Sequence, residues 1–213
     1  NESLYMLAAQ LKKQPRFCFD TETTGTDERT AELVGLAFSW KAHEGHYVSV
    51  PEDRVEAQRI VDIFKPVLEN ESIGKVAQNA KYDIRVLAKY GVEVKGPLFD
   101  TMVAHYLLKP DQQKHGMDYL SESYLSYRPV SIETLIGEKG RGKVQKSMRD
   151  ADINAVKEYS AEDADITWQL AETFAPLLQQ DEVTALFNEV EMPLVHVLAA
   201  METEGIRIDI PAL

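Results

Sequence analysis

Three short apolar runs crowd into the stretch from Arg16 to Val50, and this spacing limits the fold more than any other feature of the chain. Arg16 to Glu22 reads as a strand, the apolar run from Glu32 to Trp40 as a second and His46 to Val50 as a third, and spacing this tight predicts an antiparallel meander. The pattern then changes. Val55 to Leu68 has helical periodicity, Lys75 to Gln78 is short enough for a strand, and Asn79 to Tyr90 is helical again up to Gly91. Beyond Pro97, helices are expected over Asp100 to Leu108, Met117 to Leu125, Ser131 to Ile136, Asp152 to Ala175 with Pro176 as its stop, and Glu182 to Glu204. A meander passing into alternating strands and helices predicts an α/β fold with a mixed central β-sheet flanked by helices.

With 213 residues, 44% apolar and 27% charged, the chain suits one compact domain and a short extension. No apolar run approaches the ~20 residues that cross a bilayer, and Asn1-Glu2-Ser3-Leu4 lacks the parts of a signal peptide. A soluble, cytoplasmic protein without a membrane partner is expected. Cys18 is the one cysteine, which excludes an internal disulfide and a Cys-based zinc site. The net charge of −12 argues against a domain that grips nucleic acid by its own electrostatics. Two facts offset this: a site for divalent ions concentrates carboxylates, and a longer protein can carry its basic surface elsewhere.

Alternation in the first strand puts Cys18, Asp20 and Glu22 on one face and Phe17, Phe19 and Thr21 on the other. Two neighbouring carboxylates at the end of an apolar strand repel unless a cation compensates. Taken alone, the pair also reads as two solvated acids past the strand's end. In the long helix, Val156, Tyr159, Ile166, Leu170 and Phe174 form an apolar stripe with Asp163 inside it, one turn from Tyr159, while Glu162, Asp165, Gln169 and Glu172 fall on the polar side. A hydrogen bond to Tyr159 would by itself explain a buried Asp163. Asn79 is a plausible helix cap, with Asp83 in the first turn, where the helix dipole favours an acid in any case. Asp100 is explained as a cap. The five histidines show no paired ligand spacing, and all-oxygen ligands favour magnesium or manganese.

The strings Phe19-Asp20-Thr21-Glu22-Thr23, Gln78-Asn79-Ala80-Lys81-Tyr82-Asp83, Phe99-Asp100-Thr101-Met102 and Tyr159-Ser160-Ala161-Glu162-Asp163-Ala164-Asp165 resemble, in order, the motifs of the proofreading 3′-5′ exonuclease domains of bacterial DNA polymerase I. From Glu191-Met192-Pro193-Leu194-Val195 to Glu202-Thr203-Glu204-Gly205-Ile206-Arg207-Ile208-Asp209 the chain resembles the segment that opens the polymerase part of such enzymes. The resemblance implies a ribonuclease H-like fold, a nuclease domain over 1–188 and the truncated start of a polymerase domain over 189–213. It implies Asp20, Glu22, Asp83 and Asp163 as ligands of two Mg2+ or Mn2+ ions, with Tyr159 as a further catalytic residue and Thr21, Thr26, Asn79, Tyr82 and Lys143 at the substrate. At Thr26 and Ile132 the family has a leucine and an aromatic residue, and base stacking is worth ~1–3 kcal/mol per contact.

The implied reaction is hydrolysis of phosphodiester bonds at a single-stranded or frayed DNA 3′ end, in replication and repair, by a nucleoid-associated monomer whose polymerase domain lies on the same full-length chain. Asp20 is expected to bridge both ions, Glu22 and Asp163 to serve the one that activates water, and Asp83 the one near the leaving 3′ oxygen. Tyr159 is expected to position the water rather than deprotonate it, since a phenol titrates near ~10. Lys139, Arg141, Lys143, Lys146 and Arg149 are either a solvated basic loop or contacts to the phosphate backbone. The alternatives are an exoribonuclease of the ribonuclease D kind and a noncatalytic scaffold for the polymerase.

Overall fold

The computed structural model describes residues 2–138, 140 and 144–208. Helix α1 (Glu2–Leu11) leads into β1 (Arg16–Thr23), β2 (Leu33–Lys41) and β3 (Glu44–Ser49). After α2 (Arg54–Leu68) come β4 (Gly74–Ala77), α3 (Ala80–Ala88), β5 (Leu98–Asp100) and α4 (Thr101–Leu108). The rest is helical: α5 (Met117–Leu120) running into a π turn, α6 (Glu133–Ile136), α7 (Ile153–Gln180), α8 (Thr184–Leu186) with a second π turn, and α9 (Met192–Glu204). The sheet order is β3-β2-β1-β4-β5, antiparallel on the β2 side of β1 and parallel on the β4 side, which is the mixed sheet expected.

Strand β1 is central, and its alternation divides the interior. Phe17 and Phe19 join Phe38 and Phe64 in the main core, with Phe38 stacked on Phe64 at 5.1 Å, whereas Cys18 packs with Ala37 and Val76 against Ala164 and Ala171 of α7. At ~25 cal/mol per Å2 of apolar surface removed from water, this double burial is the main force setting β1 in place. Its C-terminal end therefore opens between helix layers, the position that carries the site.

Helix α7 does not stop before Pro176. It continues to Gln180, because Phe174 and Leu178 are both buried and hold the last turns against the core despite the backbone hydrogen bond that proline removes. Nor is the polar side of α7 merely solvated. Glu162 accepts hydrogen bonds from Tyr127 Oη (2.5 Å) and Val130 N (2.8 Å), Asp165 accepts from His43 N (2.6 Å), and Glu172 pairs with Arg16. The β2–β3 turn thus rests on α7. A Cβ at Gly45 would lie 2.1 Å from the Ala161 carbonyl oxygen, a backbone atom with nowhere to retreat. Gly45→Ala is expected to cost about 1–3 kcal/mol by overpacking, lowering Tm by ~2–12 °C for a domain of this size. An unchanged melting curve would refute the contact.

Helix α1 and strand β5 were not anticipated from sequence, and the helix expected from Glu182 starts at Thr184 and runs to Glu204 through a π turn at Phe187–Glu191. Helix α9 packs on α3, burying Met192, Val195 and Ala199. Among the described residues, no helix is long and apolar enough to cross a membrane.

Candidate active site

Asp20 and Glu22 project from the last turn of pleat in β1 towards α7, and Asp163 meets them from the helix. One carboxylate oxygen from each lies within 4.8 Å of the others, with Glu22 and Asp163 buried and Asp20 partly exposed. A bulge between Glu22 and Thr23 ends the regular pairing with β2 at this point. Ser160, fully buried, sets Glu22: its Oγ is 2.7 Å from Glu22 Oε1 and 2.8 Å from the Val156 carbonyl. One hydroxyl proton cannot serve both acceptors, so a Glu22 that keeps its own proton donates to Ser160 while Ser160 donates to Val156.

Asp83 comes from α3, in the other layer, and is 2% exposed. Its Oδ1 accepts from Thr21 N at 3.1 Å and Thr21 Oγ1 at 2.5 Å. Asp83 is therefore buried beside Asp20, close enough for each charge to be felt by the other, but stands outside the tight trio. Thr21 faces away from the trio, as the alternation requires, and serves as the holder of Asp83.

The remaining expected residues are spread around this centre. Tyr159 is half-buried, and its hydroxyl lies against the Asp163 carboxylate. Tyr82 donates to the Gly25 carbonyl at 2.6 Å with Thr23 Oγ1 2.5 Å away, anchoring the loop that carries the exposed Thr26. Asn79 does not cap α3 through its side chain. Its backbone is left-handed (φ 61°, ψ 49°), and Asp100 caps instead, accepting from Asn79 N and Ala80 N as well as from Met102 N and Val103 N of its own helix. Arg149 does not face solvent as a phosphate contact would: Nη1 and Nη2 donate to the carbonyls of Val50 (3.2 Å) and Leu33 (2.8 Å). Lys146 and Ile132 are exposed, while Lys139, Arg141 and Lys143 lie outside the described residues.

The electrostatics are those of a centre built for positive charge. Burial raises Asp20 to about 6, and burial with the Asp20 charge raises Glu22 to about 8. Asp83 and Asp163 are both raised well above the carboxylate range, first by burial and then by Asp20. Tyr159 is pushed far up by burial and the Asp163 charge, so it stays a hydrogen-bond donor. Burial also keeps the Cys18 thiol protonated, leaving oxygen donors alone. Asp163 Oδ1 is buried without a hydrogen-bond partner, a cost that a cation removes. Donor chemistry and the orphaned oxygen both fit a hard divalent ion.

Sequence reasoning missed Ser160. Its signal was present: Val156, Ser160, Asp163 and Thr167 form one buried stripe in which polar residues take core positions.

A family model described as 3′-5′ exonuclease matches residues 1–179. The chain is 35% identical over 209 residues to DNA polymerase I of Borreliella burgdorferi and 34% identical over 210 residues to that of Pseudomonas aeruginosa, covering 95% and 94% of this chain. It spans only 22% and 23% of those relatives. Among solved structures, Brucella melitensis NrnC superposes with a TM-score of 0.72 at 19% identity, covering 91% of this chain and 87% of that one, a likeness of fold.

Proposed function

The chain belongs to the 3′-5′ exonuclease family found in DNA polymerase I, and on that premise we propose that it removes nucleotides from DNA 3′ ends through Asp20, Glu22, Asp83 and Asp163. The observation that carries this reading is the convergence of one oxygen each from Asp20, Glu22 and Asp163 within 4.8 Å of one another, with Asp163 Oδ1 buried and lacking a hydrogen-bond partner.

Asp20, Glu22 and Asp163 would hold one divalent ion, and Asp20 with Asp83 a second, Mg2+ or Mn2+. Bound there, such ions supply a nucleophile from water at neutral pH and neutralise charge on the phosphate and the leaving oxygen. Ser160 fixes the Glu22 carboxylate and Thr21 fixes Asp83, so neither acid needs to reorganise when the substrate arrives. Tyr159, held protonated with its proton towards Asp163, would hydrogen-bond the attacking water through its phenolic oxygen and so orient it. Thr26, Asn79, Tyr82 and Lys143 belong to the strand's path. Residues 1–188 form the nuclease domain and 189–213 begin the polymerase domain, in a cytoplasmic protein that acts in replication and repair.

The test is hydrolysis of a 5′-labelled single-stranded DNA with and without manganese. The wild type should release nucleoside 5′-monophosphates only with metal, and Asp20→Ala should release none while keeping the wild-type far-ultraviolet spectrum. Tyr159→Phe should retain a measurable rate, about 10- to 100-fold reduced, the scale of losing an outer hydrogen bond at a metal site. Metal-independent cleavage, or an active Asp20→Ala, would overturn the reading. A matched RNA oligonucleotide cut faster than the DNA would favour the ribonuclease D-like alternative.

A further inference from the structure

Helix α3 does more than deliver Asp83. Tyr82, Arg85 and Lys89 follow one another at i, i+3 and i+7 and so form a single stripe. Each of them grips the loop between β1 and β2: Tyr82 holds the Gly25 carbonyl at 2.6 Å, Arg85 pairs with Glu28, and Lys89 Nζ donates to the Ala31 carbonyl. Between these grips the loop closes on itself, with Thr24 N to the Glu32 carbonyl and Glu32 N to Thr24 Oγ1, both 2.9 Å.

The middle grip reaches further. Arg85 has a side chain 8% exposed, and its Nη1 is shared between Glu28 and Glu202 Oε2 (2.8 Å) while Nη2 donates to the Glu202 carbonyl at 3.1 Å. Glu202 sits in the last turn of α9 and also takes Lys81 Nζ at 2.6 Å. One buried guanidinium therefore ties the end of α9 to the loop that leaves the Asp20–Glu22 strand. A planar fork with several fixed donors meets two carboxylates and a carbonyl at once, which a lysine ammonium on its flexible stem does less well.

We propose that Arg85 is a positioning residue that sets loop 24–32, and with it Thr26, from the location of helix α9. The proposal rests on the nuclease reading, because the place of Thr26 matters only when a strand end enters beside it. Loosening the arc from Thr26 to Glu28 leaves Asp20 and Glu22 in their strand, so the effect falls on substrate capture rather than on the chemical step.

The experiment is steady-state hydrolysis of a 5′-labelled single-stranded DNA with manganese by the wild type, Glu28→Ala, Glu202→Ala and the double variant, with thermal melts of each. Both replaced side chains are partly exposed, and the core is untouched. Each single variant should raise KM by roughly three- to tenfold, the scale of coupling through one network, with kcat within about twofold. The double variant should be no worse than the worse single, since both act through the same guanidinium. A KM unchanged in Glu202→Ala, or effects that simply multiply in the double variant, would overturn the coupling, and so would a lower Tm with KM intact. A wild type that hydrolyses nothing would instead remove the nuclease reading, and the proposal with it.

Discussion

Asp163→Asn should reduce metal-dependent hydrolysis of single-stranded DNA by more than ~100-fold, beyond what losing an outer hydrogen bond at a metal site costs, while the protein melts no lower than the wild type. The two halves of this result come from one cause. Asp163 is buried with Asp20 and Glu22 close by, so without a cation its charge is unfavourable. The amide keeps the shape and an acceptor for Tyr159 but brings no charge, which relieves the metal-free centre and deprives a cation of a ligand. Parallel rate measurements and thermal melts decide it: a variant within tenfold of the wild-type rate would remove Asp163 from the centre.

The second large effect is a stability that runs opposite to pH. Glu22 is raised from 4.5 to about 8 and Asp20 from 3.8 to about 6, so between these limits the folded chain holds more protons than the unfolded one. Stability from these groups is fully present below about pH 4 and is lost as pH rises through 6 and then 8. In the metal-free protein Tm should therefore be lower at pH 8 than at pH 5, and Glu22→Gln should flatten the slope. Manganese binds the ionised carboxylates, so it should restore what the protons supplied. At a hundredfold excess over Kd the gain is about 2.7 kcal/mol, or ~5–10 °C in Tm, at pH 8, and much less at pH 5. A metal shift of equal size at both pH values would contradict the arrangement.

The sheet was legible because its first three strands are short segments crowded into one stretch, as in a meander, although β2 is buried at seven successive positions and shows no period of two. Strand β5 was not, since Leu98–Asp100 is too short to show a period. The end of α7 was misplaced because proline is a local signal, and the burial of Phe174 and Leu178 is a tertiary one that overrides it. Side-chain faces singled out Asp20, Glu22 and Asp163 as acids in apolar company, and the fold brings those three together. What sequence could not supply was the set of holders. Thr21 for Asp83, Ser160 for Glu22 and Asp100 for the start of α3 are contacts between residues far apart in the chain, and neither period nor propensity encodes them. Asn79 shows the same limit, a residue of ideal capping type whose backbone took the left-handed region and left the cap to another strand.

The bond from Ser160 to Glu22 spans 138 positions. During synthesis, β1 with both of its acids leaves the ribosome long before α7 exists, and chains deliver such distant pairings late in folding. A nascent chain shorter than residue 163 lacks the helical carboxylate altogether. The cluster of Asp20, Glu22 and Asp163 therefore cannot close until α7 has been made, so the order of the chain alone sets when this centre can first exist.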